Sequence, residues 1–133
     1  MDAGRLESIA LFSGLTLNQR EKVAGLCEEI SVEAGDTLLR EGDFGYAVFA
    51  ITSGTAEVRQ GGEPIRTLGP GEVFGEIAVL SGGRRTASIV ATSPMTLVTV
   101  FNRDLWRLER EMPELAAVLR VKIETHVAPT VSL

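Results

Sequence analysis

Phe74-Gly75-Glu76-Ile77-Ala78-Val79-Leu80-Ser81-Gly82-Gly83-Arg84-Arg85-Thr86-Ala87-Ser88 breaks the rhythm of the sequence on either side of it. Gly75 to Ser81 is too rich in helix formers for a turn and too short for an ordinary helix. It predicts a helical turn or two inserted between strands. A short helix starting at Gly75 points free backbone N–H groups outward, where they form a ready anion site. Gly75 has no side chain to keep a ligand off the backbone. Further along, Arg85 returns a positive, forked donor suited to a phosphate. Small Ala87 beside it leaves room and exposes another N–H. Glu76 is the odd member, because a carboxylate repels a phosphate. Two readings of it stand: a charge that complements the helix dipole, or an acceptor for a sugar hydroxyl next to the phosphate.

Around this segment, from Ser31 to Phe101, short β-prone runs alternate with turns. The turns are Gly35-Asp36, Gly42-Asp43, Ser53-Gly54, Gly61-Gly62, Gly69-Pro70-Gly71, Gly82-Gly83 and Ser93-Pro94. Between them Ala47–Thr52, Thr55–Gln60, Ile65–Leu68, Ser88–Thr92 and Met95–Phe101 read as strands, which predicts a sandwich or closed barrel rather than a βαβ sheet. Ala56-Glu57-Val58-Arg59 alternates apolar and charged, as a strand with one wet face does.

Both ends read as helical. Thr16 and Gln19 have capping-box spacing, and Val23, Leu26, Cys27 and Ile30 follow at i, i+3, i+4 and i+7, an apolar helical stripe. Cys27 on that stripe reads as core rather than reactive. Leu6, Ile9 and Phe12 suggest a shorter helix before it. After Phe101, Asn102 is suited to cap a helix carrying Leu105 and Leu108, and Pro113 to open a second one. Leu115, Val118, Leu119 and Ile123 form its expected apolar face, with His126 a turn further on. One domain over residues 1–133 results: a helical start at 1–30, a β-roll at 31–101, C-terminal helices at 102–127, and a tail from Val127.

Composition narrows the function. With 44% hydrophobic and 23% charged residues the chain is of globular type. No apolar run approaches the roughly 20 residues of a membrane span, and the N-terminus lacks a secretory pattern, so a cytoplasmic location is expected. A lone Cys27 suits a reducing compartment. The net charge of −5 argues against direct nucleic-acid binding.

Phe74-Gly75-Glu76-Ile77-Ala78 followed by Arg85-Thr86-Ala87-Ser88-Ile89 closely resembles the phosphate-binding cassette of cyclic-nucleotide-binding domains. Glu41-Gly42-Asp43, Ser53-Gly54 and Gly69-Pro70-Gly71 resemble that family's turns, and Pro113-Glu114-Leu115-Ala116 the start of its lid helix. The resemblance implies a mainly β, α+β fold: an eight-stranded antiparallel, jelly-roll-like β-roll with N-terminal helices, a short cassette helix and a C-terminal hinge and lid helix pair. It implies that Arg85 binds the cyclic phosphate with backbone groups near Ile77, Ala78, Thr86 and Ala87. Glu76 and the Gly75 backbone would hold the ribose 2′-OH. Val58, Val73 and Phe74 would wall the base, with Thr86 bearing on base choice and Ile123 and His126 covering it from the lid. Arg84 departs from the family's usual proline; it is a solvated charge or a second phosphate contact. Cyclic AMP is the favoured ligand and cyclic GMP the second candidate, with no cofactor, no metal and no catalysis. A protein partner or effector domain is expected.

Rival readings fare worse. A cupin-type metal site needs several histidines, an iron–sulfur site several cysteines, and a hydrolase triad its own histidine; His126 and Cys27 stand alone. The phosphate-loop motif is absent. Too little chain follows Pro113 for a helix-turn-helix, so the expectation is a stand-alone sensor or the regulatory part of something larger. The alternative that stays open is a domain that keeps the fold, binds no nucleotide, and serves in docking or dimerisation.

Overall fold

The computed structural model describes residues 1–44, 47–75 and 85–126, the side chains of Ala10 and His126 apart. Eight strands are found among them: β1 (Cys27–Val32), β2 (Thr37–Leu39), β3 (Ala47–Ser53), β4 (Ala56–Gln60), β5 (Glu63–Leu68), β6 (Val73–Phe74), β7 (Ser88–Ala91) and β8 (Met95–Phe101). They form two antiparallel sheets, ordered β1-β8-β3-β6 and β2-β7-β4-β5. This is the mainly β, eight-stranded antiparallel roll expected, and the strand segments read from the sequence fall on β3, β4, β5, β7 and β8 within a residue or two.

Sequence texture explains which sheet lies where. In β3 five consecutive residues are buried because neighbours point to opposite faces and both faces are covered. Ala47, Phe49 and Ile51 enter the space between the sheets, while Val48 and Ala50 face the helices. In β4 only Ala56 and Val58 are buried, so its alternation marks a sheet with one wet side. Gly54, in the β3–β4 turn, has φ +87°, and a Cβ there would come within 2.3 Å of the Pro94 carbonyl. Only glycine fits this crossing of two chain segments.

The helices are α1 (Ala3–Leu6), a 3₁₀ turn at Ala10–Phe12, α2 (Leu17–Ala24), α3 (Asn102–Glu111) and α4 (Pro113–His126). Together they close the outer face of the first sheet, burying Leu6, Phe12, Val23, Leu105, Leu119 and Ile123 against Val48, Val98 and Val100. The capping box at Thr16 and Gln19 is present in both directions, at 3.1 and 2.9 Å. No helix among the described residues is long and apolar enough to cross a membrane.

Three local expectations need correction. The helical stripe through Cys27 and Ile30 does not exist: α2 ends at Ala24 with Gly25 as its cap, and Cys27 to Val32 pair with β8. Cys27 packs toward the helices and Ile30 toward the roll, the opposite faces that a strand gives to residues three apart. Long-range pairing has overridden a local period, and the β-roll begins at residue 27 rather than 31. Asn102 is the first helical residue, not the cap; Phe101 takes the cap position with no side-chain bond. Val118 points outward, leaving Leu115, Leu119 and Ile123 as the buried face of α4. Cys27 is nonetheless core, and burial pushes its thiol up to about 12.

Candidate functional site

Arg85 lies just before β7, where a guanidinium would ordinarily reach for water. It is instead 3% exposed, the one charged side chain among the buried described residues. Its Nη1 donates to the Gly75 carbonyl at 2.7 Å and its Nη2 to the Ala47 carbonyl at 2.9 Å. The backbone is fixed as firmly. Arg85 N–H donates to the Asp43 carbonyl at 2.6 Å, and the Arg85 carbonyl accepts from Gly42 N–H at 2.9 Å. A planar, five-donor group bonded from β3 and from the end of β6 has its plane set before any ligand meets it.

Gly75 supplies the space. Its φ is +88°, and a Cβ there would lie 2.8 Å from Arg85 Nη1 and 2.9 Å from the Ala47 carbonyl. Any side chain at this position would collide with the guanidinium and with the carbonyl that it bonds. Gly75 and Arg85 are thus brought together, as expected, but through each other.

The segment after Arg85 is tied down on both sides. Thr86 is exposed and its carbonyl accepts from Gln60 Nε2 at 3.1 Å. Ala87 is buried in the roll's interior. Ser88 Oγ accepts from Glu41 N–H at 2.9 Å, and Glu41 Oε1 accepts from Gly61 N–H at 3.1 Å. Glu41, Asp43, Ala47 and Gln60 therefore position the arginine segment, a role the sequence showed only as a turn at Glu41-Gly42-Asp43. The Asp43 and Ala47 groups involved are backbone carbonyls, which leave no residue-type signal.

The expected base walls divide. Val58 and Phe74 are fully buried inside the roll, where Phe74 stacks on Phe49 with ring centroids 5.2 Å apart. Val73 and Ile123 belong to the other core, between the first sheet and the helices. Placing Val73 and Phe74 on one wall is corrected by the strand itself, since adjacent β residues face opposite ways. Ile123 is held among the helices, and Lys122 beside it donates to the Ser13 carbonyl. Glu76, Ile77, Ala78 and Arg84, with the helical turn expected from Gly75, lie outside the described residues, as do the side chain of His126 and all of Val127. No group of three or more metal-binding side chains occurs among the described residues.

Comparison with known proteins gives this geometry a context. The sequence profile of the cyclic nucleotide-binding domain matches residues 29–111. The cAMP-dependent protein kinase regulatory subunit of Hypocrea atroviridis is 33% identical over 103 residues, covering 77% of this chain and 22% of its own length. A cGMP-dependent protein kinase of Caenorhabditis briggsae is 34% identical over 105 residues, covering 74% of this chain and 14% of its own length. The chain thus spans about a quarter or less of these curated relatives. The crystal structure of a cyclic nucleotide-binding domain from Methylobacillus flagellatus superposes with a TM-score of 0.80 at 23% identity, over 92% of this chain and 72% of that one. That likeness concerns the fold. With the profile spanning most of the roll and the buried arginine, the chain belongs to the cyclic nucleotide-binding domain family.

Proposed function

We propose that the chain is a regulatory sensor that binds a 3′,5′-cyclic nucleotide, cyclic AMP in preference to cyclic GMP, and catalyses nothing. The observation that carries this reading is the Arg85 guanidinium, buried and fixed in plane by the Gly75 and Ala47 carbonyls. A desolvated, pre-oriented cation gains more from an anion than one in water, because field strength rises as the local dielectric falls. A cyclic phosphate is a compact monoanion that such a fork can grip. Glu76 and Gly75 take the ribose, and Val58 and Phe74 lie toward the base. The names of the relatives include both nucleotides, so base choice rests on Thr86, exposed at the edge of the site.

Signalling follows from where α4 stands. Its Ile123 lies in the helical core, so covering a base requires the helix to leave that packing. Nucleotide binding then acts by population shift, favouring the state in which α4 closes on the roll. The effector that senses the shift lies in another protein or another part of a longer chain.

Calorimetric titration with cyclic AMP and cyclic GMP tests the reading. Saturable binding is expected, tighter for cyclic AMP. Absence of heat with either nucleotide would leave the docking or dimerisation module as the function.

A further inference from the structure

Arg103, Trp106, Arg107 and Arg110 occur at i, i+3, i+4 and i+7 along α3, and so share one side of the helix. Leu105 and Leu108 are buried on the opposite side. All four stripe residues are exposed, Trp106 to 47%, and it is the only tryptophan in the chain. Seven residues of helical rise spread the three guanidinium groups over about 10 Å. In a chain of net charge −5 this face reverses the prevailing sign.

The stripe is also partly ordered in advance. The Arg103 guanidinium carbon lies 5.4 Å from the centre of the Phe101 ring, and Arg107 is 3.5 Å from the Asp104 carboxylate. Glu109, which would dilute the positive face, is paired with Arg120 of α4. Side chains already restrained lose less freedom on binding, and tryptophan and arginine are the types that most often carry interface energy.

We propose that this face docks an acidic polypeptide segment, with carboxylates spaced to meet Arg103, Arg107 and Arg110 and an apolar side chain seated on Trp106. A nucleic acid or an anionic membrane is recognised through a positive field over a broad surface, which a chain of net charge −5 with one basic stripe does not offer. A short acidic segment needs only the local stripe. The surface goes beyond the nucleotide reading and stands without it. Through Met112, α3 runs directly into α4, so a partner held here sits beside the helix assigned the signalling movement.

Because Trp106 is the only tryptophan, its fluorescence reports on this face alone. The full chain is titrated with an eight-residue peptide of glutamates interrupted by two leucines. A lysine version, a single-stranded oligonucleotide of equal charge and phosphatidylserine vesicles serve as parallel arms. A saturable change in Trp106 emission is expected with the acidic peptide only, its affinity falling about tenfold from low to high salt as screening grows. Arg103→Glu with Arg110→Glu should abolish the response while the melting temperature and cyclic-nucleotide titration stay unchanged. The milder Arg110→Gln should weaken it about threefold, which keeps the test open if the double variant folds poorly. A flat emission trace, equal binding by the charge-reversed chain, or tighter binding of the oligonucleotide or vesicles would each overturn the proposal.

Discussion

Arg85 and Ile123 are both almost wholly buried, at 3% and 1% exposure, yet different forces hold them. Arg85 is fixed by directed hydrogen bonds to the Gly75 and Ala47 carbonyls, at the edge of the roll. Ile123 is held by apolar packing among Leu6, Phe12 and Leu119, on the far side of the first sheet. A hydrogen-bonded guanidinium has one orientation that satisfies it, whereas apolar contacts are non-directional and can be exchanged for others of similar area. The Arg85 guanidinium is therefore held in one orientation, whereas Ile123 is held on the other side of the first sheet by contacts without a preferred direction. In the function proposed above, recognition falls to the first region and response to the second.

The sharpest way to break this comparison is Arg85→Ala. Removing one partner of a buried charged contact costs roughly 3–5 kcal/mol, so nucleotide affinity should fall by two to four decades on the logarithmic scale. Calorimetry on the folded variant checks it, and an unchanged affinity would remove Arg85 from the phosphate site.

Ile123→Ala attacks the other region. Truncating a buried isoleucine typically costs about 2–5 kcal/mol, so the melting temperature should drop while nucleotide affinity moves by less than about tenfold. An affinity collapse comparable with that of Arg85→Ala would mean the two regions act as one.

Thr86→Ala refines the recognition side and carries the smallest effect. The Thr86 hydroxyl can accept from the guanine amino group, which adenine lacks. Cyclic GMP should weaken more than cyclic AMP by about one neutral hydrogen bond, roughly 0.5–1.5 kcal/mol. Parallel losses for both nucleotides would make Thr86 a packing residue.

Much of the roll was legible along the chain because strands advertise themselves locally. The glycine-containing turns at Ser53-Gly54 and Gly61-Gly62 bracket Ala56–Gln60, whose alternation shows in its own residues. The site was half legible. Gly75 and Arg85 stand out as residue types suited to an anion, but the carbonyls of Asp43 and Ala47 that aim Arg85 have no signature in any side chain. The helix expected through Cys27 and Ile30 failed for a long-range reason. The spacing of Val23, Cys27 and Ile30 fits a helix locally, and only the backbone of β8 alongside decides for a strand.

By itself the sequence determined a mainly β class of short strands and turns, the start of α2 at its capping box, and Gly75 and Arg85 as residues suited to an anion. These rest on interactions within a few residues, or on side-chain types that suit little else. Tertiary structure alone decided that the Arg85 guanidinium packs where a Cβ on Gly75 would stand. It also decided that Ile123 belongs with the N-terminal helices. Such choices depend on which surface meets which across the chain, and packing of distant segments is a property no local pattern contains.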